Sequence, residues 1–483
     1  MKKKPGLMLA ITPIIALLLL LGIGYGVFHL RAEPLLLIAA AIAALIGKSL
    51  GVSWEEMQEG IVQTTAKSMS AILILITVGI LIGTWMVSGT IPMMIFYGLK
   101  LIDPNYLLIT AFFVAAIVST FTGTSWGSAG TIGVAVMGIA LVQGVSLPVT
   151  AGAVVAGAYF GDKLSPLSDT TNLAPAAAGS KLYEHIKHMM YTTIPAAIIG
   201  VIVYFIAGKM MEVKGGNNQE GLNEMISMLT STFDWNVLLV VPIIIVLAGS
   251  ILKYPTIPVM IASSTTAIIL GIVFQGISVE NAFLATVSGF NISMMSGTVD
   301  VSTIPEDVSG LLNRGGMSSM MGTTLIAFCS FAFAGVISKV GCLEVVLEKV
   351  NEKAKSTGSL ILATVLSCIT IAVTTGSSYL SILIPGELFR NVYAERGLHA
   401  KNLSRTLEDS GTVVVPIVPW SLAGVYMSST LGVPVIEFLP WAVMCYVGFI
   451  FAIIYGYTGF SIEKVKAATG GQSSKEDDFQ YKI

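Results

Sequence analysis

The stretch Gly161-Asp162-Lys163-Leu164-Ser165-Pro166-Leu167-Ser168-Asp169-Thr170-Thr171-Asn172-Leu173-Ala174-Pro175 decides how the rest of the chain is read. It follows an apolar run, Pro148 to Phe160, of Ala, Val and Gly that reads as a membrane helix. It then puts two aspartates, a lysine, four hydroxyls, an asparagine and two prolines into fifteen residues. Charged side chains at membrane depth are costly and face a cavity or a partner. Each proline removes a backbone donor and breaks the hydrogen-bond ladder, which frees carbonyls to bind something else. Carboxylates, hydroxyls and carbonyls are hard oxygen ligands, so the pattern points to a discontinuous helix with a cation site. The plainer alternative is a polar loop outside the bilayer.

Composition sets the class around this stretch. Of the 483 residues, 54% are hydrophobic and only 11% charged, which excludes a soluble globular chain. Repeated runs of about twenty apolar residues indicate a polytopic all-α membrane protein. A net charge of -2 gives no argument for a nucleic-acid partner. The four cysteines, Cys329, Cys342, Cys368 and Cys445, are scattered singly. They form neither a disulfide framework nor a metal-ligand spacing, and read as small packing residues.

The N-terminal Met1-Lys2-Lys3-Lys4-Pro5 precedes an apolar core too long for a signal peptide, and no small-x-small cleavage site follows it. Residues 1–33 are therefore expected to hold a first transmembrane helix, with the lysines keeping the N-terminus in the cytoplasm. Residues 34–211 form a first repeat, 212–234 a linker, 235–459 a second repeat and 460–483 a polar cytoplasmic tail. Eleven to thirteen crossings are expected. Lys181 to His188 reads as a short surface helix before a span from Met190 to Met211, with His185 and His188 facing solvent.

The two halves echo one another. Val52-Ser53-Trp54-Glu55-Glu56 resembles Ile277-Ser278-Val279-Glu280-Asn281, and Leu75 to Gly89 has a counterpart in Leu325 to Gly341. Thr122-Gly123-Thr124-Ser125-Trp126 matches Thr375-Gly376-Ser377-Ser378-Tyr379. Ser168-Asp169-Thr170-Thr171 is echoed by Glu408-Asp409-Ser410-Gly411-Thr412. Four links in one order, at offsets of about 225 to 255 residues, mark a secondary transporter with a midplane site between two related halves. Each Thr-Gly-Ser/Thr-Ser stretch lies between two apolar segments and predicts a re-entrant hairpin whose tip meets a discontinuous helix. Tip amides and helix N-termini favour an anion, whereas tip carbonyls and hydroxyls favour a cation.

Gly161 to Asn172, with Thr122-Gly123-Thr124-Ser125 upstream, resembles the NhaC family of bacterial sodium/proton antiporters, from about Pro34 to Gly459. It is more distantly similar to the broken helix of sodium/dicarboxylate symporters in the wider ion-transporter superfamily. There a Gly-Gly-x-x-Thr-Pro pattern ends in Pro-Pro-Asn, for which this chain has Ser165-Pro166 and Asn172. The superfamily's hairpin tips read Ser-Asn-Thr, where this chain has Thr124-Ser125-Trp126 and Ser377-Ser378-Tyr379. The resemblance implies two inverted-topology repeats with paired re-entrant hairpins and two discontinuous, broken helices, a multi-pass location in the bacterial plasma membrane and a homodimer with moving transport domains.

Sodium/proton antiport needs a group that holds either ion but not both. A carboxyl in a low-dielectric site does this, since burial favours its protonated form and a bound cation its ionised form. Asp169 is the first choice, with Ser165, Ser168, Thr170 and Asn172 to complete a Na+ shell and Thr124 and Ser125 from the hairpin tip. A direct Na+ set of Asp169, Ser168 and Thr124 is expected. Asp162 is the second choice, beside Lys163, and that pair reads equally as functional or as a structural ion pair or snorkelling lysine. Asp409 and Thr412, with Ser377 and Ser378, form the counterpart in the second half, and Asp409 stands beside Glu408. Glu387 and Arg390 read equally as a surface pair.

Enzyme motifs are absent: there is no Tyr-Asp dipeptide, and Gly127-Ser128-Ala129-Gly130 misplaces the serine of a rhomboid-like protease. The function expected is therefore Na+/H+ antiport under alternating access, with no cofactor beyond the transported Na+ and H+. The alternative is a Na+/H+-coupled exchanger of small organic acids of the malate/lactate type, or an amino-acid transporter. An organic-acid site would welcome an arginine in the cavity, and Arg31, Arg314, Arg390, Arg396 and Arg405 all fall in loops or at span ends.

Overall fold

In a bilayer every backbone donor and acceptor must be satisfied within the segment or by a neighbour, so a chain this apolar is driven to helices. The computed structural model describes residues 4–210, 219–295 and 312–465. Among these, nine helices are long and apolar enough to cross a membrane, or up to twelve if each of three bent pairs counts as one span. The protein is a multi-pass membrane protein. The expected tail lies outside the described residues from residue 466 onward, as do residues 212–218 of the expected linker. The linker's later residues, Gln219–Thr232, are helical.

The halves repeat element by element, and left-handed glycines mark the register. Gly123 at φ +66° ends the helix Leu107–Thr122, and Thr124 caps the helical arm that runs on to Gln143. Gly376 at φ +63° ends Thr357–Thr375, and Ser377 caps Ser378–Glu395. Only glycine reverses the chain this way without a Cβ penalty, and the hydroxyl that follows satisfies the next helix's free amides. Both arms of the first hairpin are 19 residues long. The hairpins are therefore deep, with arms of about 28 Å at 1.5 Å per residue, and both arms of the first are among the helices long enough to cross a membrane.

Each hairpin is followed by a broken helix. The first runs Leu147–Leu164, opens at Ser165 to Ser168 and resumes as Asp169–Ala178. The second runs Ala400–Ile417, opens at Val418 to Ser421 and resumes as Leu422–Leu431, with a bend of 49°. Ser168 and Ser421 cap the two resumed helices, each ten residues long. The register that lays Gly123 on Gly376 also lays Ser168 on Ser421 and Leu164 on Ile417.

This register corrects one sequence pairing. Asp169 falls opposite Leu422, not Asp409, and Asp409 falls opposite Ala156. The echo between the two acidic stretches came from composition, because each has an aspartate followed by hydroxyl residues. The acidic residues of the two halves therefore sit at different depths of their helices.

Small residues pack the first broken helix against the hairpin. A Cβ on Gly157 or Gly161 would lie 2.1 Å from the carbonyl oxygen of Phe112 or Ala116 respectively, so the backbones touch directly. Ser119 Oγ and Ser128 Oγ donate to the carbonyls of Ala158 and Ala115, at 2.6 and 2.8 Å. The expected surface helix at Lys181 to His188 is instead the start of one continuous span, Leu182–Met210, with His185 and His188 buried. Tertiary packing overrides the local polarity of the two histidines, which turn toward Ser404 and Asn402, while Lys181 and Lys187 stay exposed.

Candidate functional site

Each hairpin tip rests on the break of its own half. A Cβ on Gly123 would meet the Leu167 side chain at 2.6 Å, and one on Gly376 would meet Ser421 Cα at 3.0 Å. Leu422 N–H donates to the Gly376 carbonyl at 3.3 Å. The halves are also joined across their middle. Trp126 of the first tip stacks on Tyr426 with ring centroids 4.4 Å apart, and Tyr426 Oη donates to the Trp126 carbonyl at 2.6 Å.

These contacts gather both tips and the first break around one cavity of about 1000 Å³. Thr124, Ser125, Asp162, Ser168, Asp169, Thr170, Asn172, Ser377, Ser378 and Thr412 all line it, which brings together most of the residues singled out in the sequence. Helices beginning at Ser125, Asp169, Ser378 and Leu422 all start on this cavity. Ser165, Glu408 and Asp409 lie behind the wall, fully buried.

The first-choice and second-choice aspartates have different surroundings. Asp169 is exposed at the first position of its helix and lines the wider cavity. Asp162 is 6% exposed, with Oδ1 lacking any hydrogen-bond partner and the Ser125 and Ser168 hydroxyls beside its carboxyl. Several expected ligands have structural duties. Ser165 Oγ accepts from Leu167 N–H at 3.3 Å, and Ser168 Oγ accepts from Thr171 N–H at 3.5 Å. Asn172 Nδ2 donates to the carbonyls of Pro166 and Ser168 at 2.9 and 2.7 Å, which occupies two acceptors that the break would otherwise offer a cation. Thr171 Oγ1 donates to the Asp162 and Lys163 carbonyls at 3.1 and 3.2 Å and ties off the end of the preceding helix.

Behind Asp162 lies a buried charge cluster that joins the expected Asp409 and its neighbour Glu408 to Lys163 and Arg405. Lys163 pairs with neither Asp162 nor the interface. Its Nζ donates to Asp409 Oδ1 at 2.5 Å, with both side chains fully buried. Glu408 is fully buried, and its Oε1 accepts from Thr170 Oγ1 at 3.1 Å. Arg405, expected at a span end, is also fully buried: Nη1 donates to the Ser461 carbonyl at 3.2 Å and to its hydroxyl, and Asp409 lies close enough to be felt electrostatically. The period of three to four from Lys401 through Arg405 to Glu408 and Asp409 was the available signal, because it sets a polar stripe along one helix. Glu387 is exposed, and no Glu387–Arg390 ion pair forms among the described residues. The four cysteines are buried and free, as expected for packing residues.

Comparison with known proteins sets this geometry in context. The profile of the Na+/H+ antiporter family matches residues 157–460, from inside the first broken helix to the end of the last span. A protein of Haemophilus influenzae described as an uncharacterized Na(+)/H(+) antiporter is 52% identical over 464 residues, covering 96% of this chain and 98% of its own. The Na(+)/H(+) antiporter NhaC of Alkalihalophilus pseudofirmus is 39% identical, covering 92% of this chain and 96% of its own. A malate-2H(+)/Na(+)-lactate antiporter of Bacillus subtilis is 35% identical, covering 92% of this chain and 93% of its own.

Proposed function

The chain belongs to the Na+/H+ antiporter family, and from that premise we propose that it exchanges Na+ for H+ with Asp162 as the shared carboxylate. The observation that carries this reading is the orphaned Oδ1 of a buried Asp162, at the base of a cavity on which both hairpin tips converge. A bare buried carboxylate is costly, so it calls for a cation, and either H+ or Na+ meets that need. Ser125 and Ser168 supply neutral oxygens beside it, with Thr124 at the same tip. Two ions that cannot occupy the site together, carried by inverted halves that expose it to one side and then the other, give antiport. A cytoplasmic N-terminus and a homodimer complete the proposal. Asp169 takes a lesser role as a charge in the wider cavity.

The test is proton movement in proteoliposomes after a Na+ pulse. Flux is expected with Na+ alone, lost in Asp162→Asn and kept in Asp169→Asn. Loss in Asp169→Asn with flux retained in Asp162→Asn would overturn the assignment.

A second reading has its own support. A cavity of about 1000 Å³ is far larger than an unhydrated Na+ requires, and Lys67 and Lys253 line it. The helix N-termini there favour an anion. A small organic acid is thus the alternative co-substrate, with hairpin amides in place of an arginine. Flux that appears only with malate or lactate present would favour it.

A further inference from the structure

Pairing within the charge cluster is uneven. Lys163 is held on Asp409 and is felt by Glu408 only through space, and Arg405 lies near Asp409. Asp162 and Glu408 have no ion-pair partner at salt-bridge distance among the described residues. A buried carboxylate with no cation in direct contact is unfavourable, so each of the two favours binding one.

Glu408 also has the surroundings of a site. Its Oε2 and the Thr412 hydroxyl, one helical turn further on, face each other, and no other group hydrogen-bonds to either. Both residues are at most 1% exposed. Thr170 Oγ1 reaches Glu408 Oε1 from the other half of the molecule and is 3.2 Å from Ser168 Oγ, a neighbour of Asp162. Glu408 lies in a turn of wider helix, Glu408–Thr412, where one extra residue per turn loosens the backbone ladder. A carboxylate with two hydroxyls is a hard oxygen set of the kind a small monovalent cation takes.

We propose that Glu408, with Thr170 and Thr412, forms a second Na+ site, distinct from the one at Asp162 and linked to it through Ser168 and Thr170. The inference rests on the exchange reading above. Because its ligands come from both halves, filling this site draws the resumed first helix toward the wide turn of the second broken helix. Relative motion of the halves separates Thr170 from Glu408 and releases the ion. Two carboxylates then load in each cycle, one in the first half and one between the halves.

The experiment is equilibrium binding of radioactive Na+ to purified protein, counted per chain, and it does not depend on transport. Two Na+ per chain are expected in the wild type, one in Glu408→Gln and one in Asp162→Asn. Glu408→Asp, which keeps the charge on a shorter arm, is expected to bind two with the weaker site loosened. Monodispersity in detergent separates lost binding from lost folding, and the wild-type count stands without any variant. One Na+ in the wild type, or two in Glu408→Gln, overturns the second site and leaves the exchange reading intact. No Na+ bound to the wild type removes both.

Discussion

Lys163 Nζ lies 2.5 Å from Asp409 Oδ1 with both side chains fully buried, and this contact ties the first broken helix to the second. It is the charge pair around which the two halves close. Breaking it strands a charge, whereas replacing both partners by apolar groups removes the desolvation penalty too. Lys163→Met is therefore expected to destabilise by about 3–5 kcal/mol, and the double variant Lys163→Met/Asp409→Leu to recover most of that. Thermal unfolding in detergent reads both, and a double variant no more stable than Lys163→Met would reject the pairing argument.

Gly161 sets how near the broken helix comes to the hairpin. With the Ala116 carbonyl 2.1 Å from any added Cβ, Gly161→Val must push the helices apart. Overpacking of this kind costs about 1–3 kcal/mol and moves Asp162, its chain neighbour, away from Ser125. Na+-driven proton flux is expected to fall at least tenfold while the protein still purifies as a single species.

The tips depend on left-handed glycines. Gly376→Ala places an alanine at φ +63° and its Cβ 3.0 Å from Ser421 Cα. The backbone penalty is about 1–2 kcal/mol. Gly123→Ala adds a 2.6 Å clash with the Leu167 side chain and is expected to be the worse of the two, in both melting temperature and flux.

Asp169 offers a contrast of exposure. An exposed charge acts through water and is screened by salt. Asp169→Asn is expected to raise the Na+ concentration for half-maximal flux by about threefold at low ionic strength, and to lose that effect when choline chloride is added. An effect that persists at high salt would return Asp169 to the direct ligand set.

His399 gives the pH dependence outside the spans. Its Nδ1 accepts from Lys401 N–H at 3.3 Å and caps the second broken helix, a role open only to the unprotonated nitrogen. Burial holds its pKa below the usual histidine value. The unfolded chain therefore takes up the proton first, and the cap's stability is fully present above the unfolded pKa of about 6.5 and lost as pH falls below it. His399→Asn keeps a capping acceptor without the titration, so the melting temperature of the variant is expected to depend less on pH between 7 and 5.

Much of the architecture was legible because hydropathy and backbone chemistry act locally. The apolar runs, Pro166 and the Gly-Thr and Gly-Ser steps at both tips each dictate their own neighbourhood, whereas Pro175, expected at a break, lies inside the helix Asp169–Ala178. They led to membrane helices, breaks and hairpins without reference to the rest of the chain. The stretch Gly161 to Asn172 likewise marked the centre of the site, since so much polarity at membrane depth is tolerated only beside a cavity or a partner.

What the sequence could not rank was its own carboxylates. Asp162 and Asp169 share one motif, yet a four-residue break turns one into the protein and the other into the open cavity. Lys163 follows Asp162 in the chain but reaches a residue 246 positions away, because successive positions on a helix point in different directions. Glu408 and Arg405 became internal only when the second broken helix packed against Leu182–Met210 and the last span. Local chemistry decides where a helix starts and stops. Which of its faces is dry, and therefore which charges need a partner, is decided by the packing of distant segments.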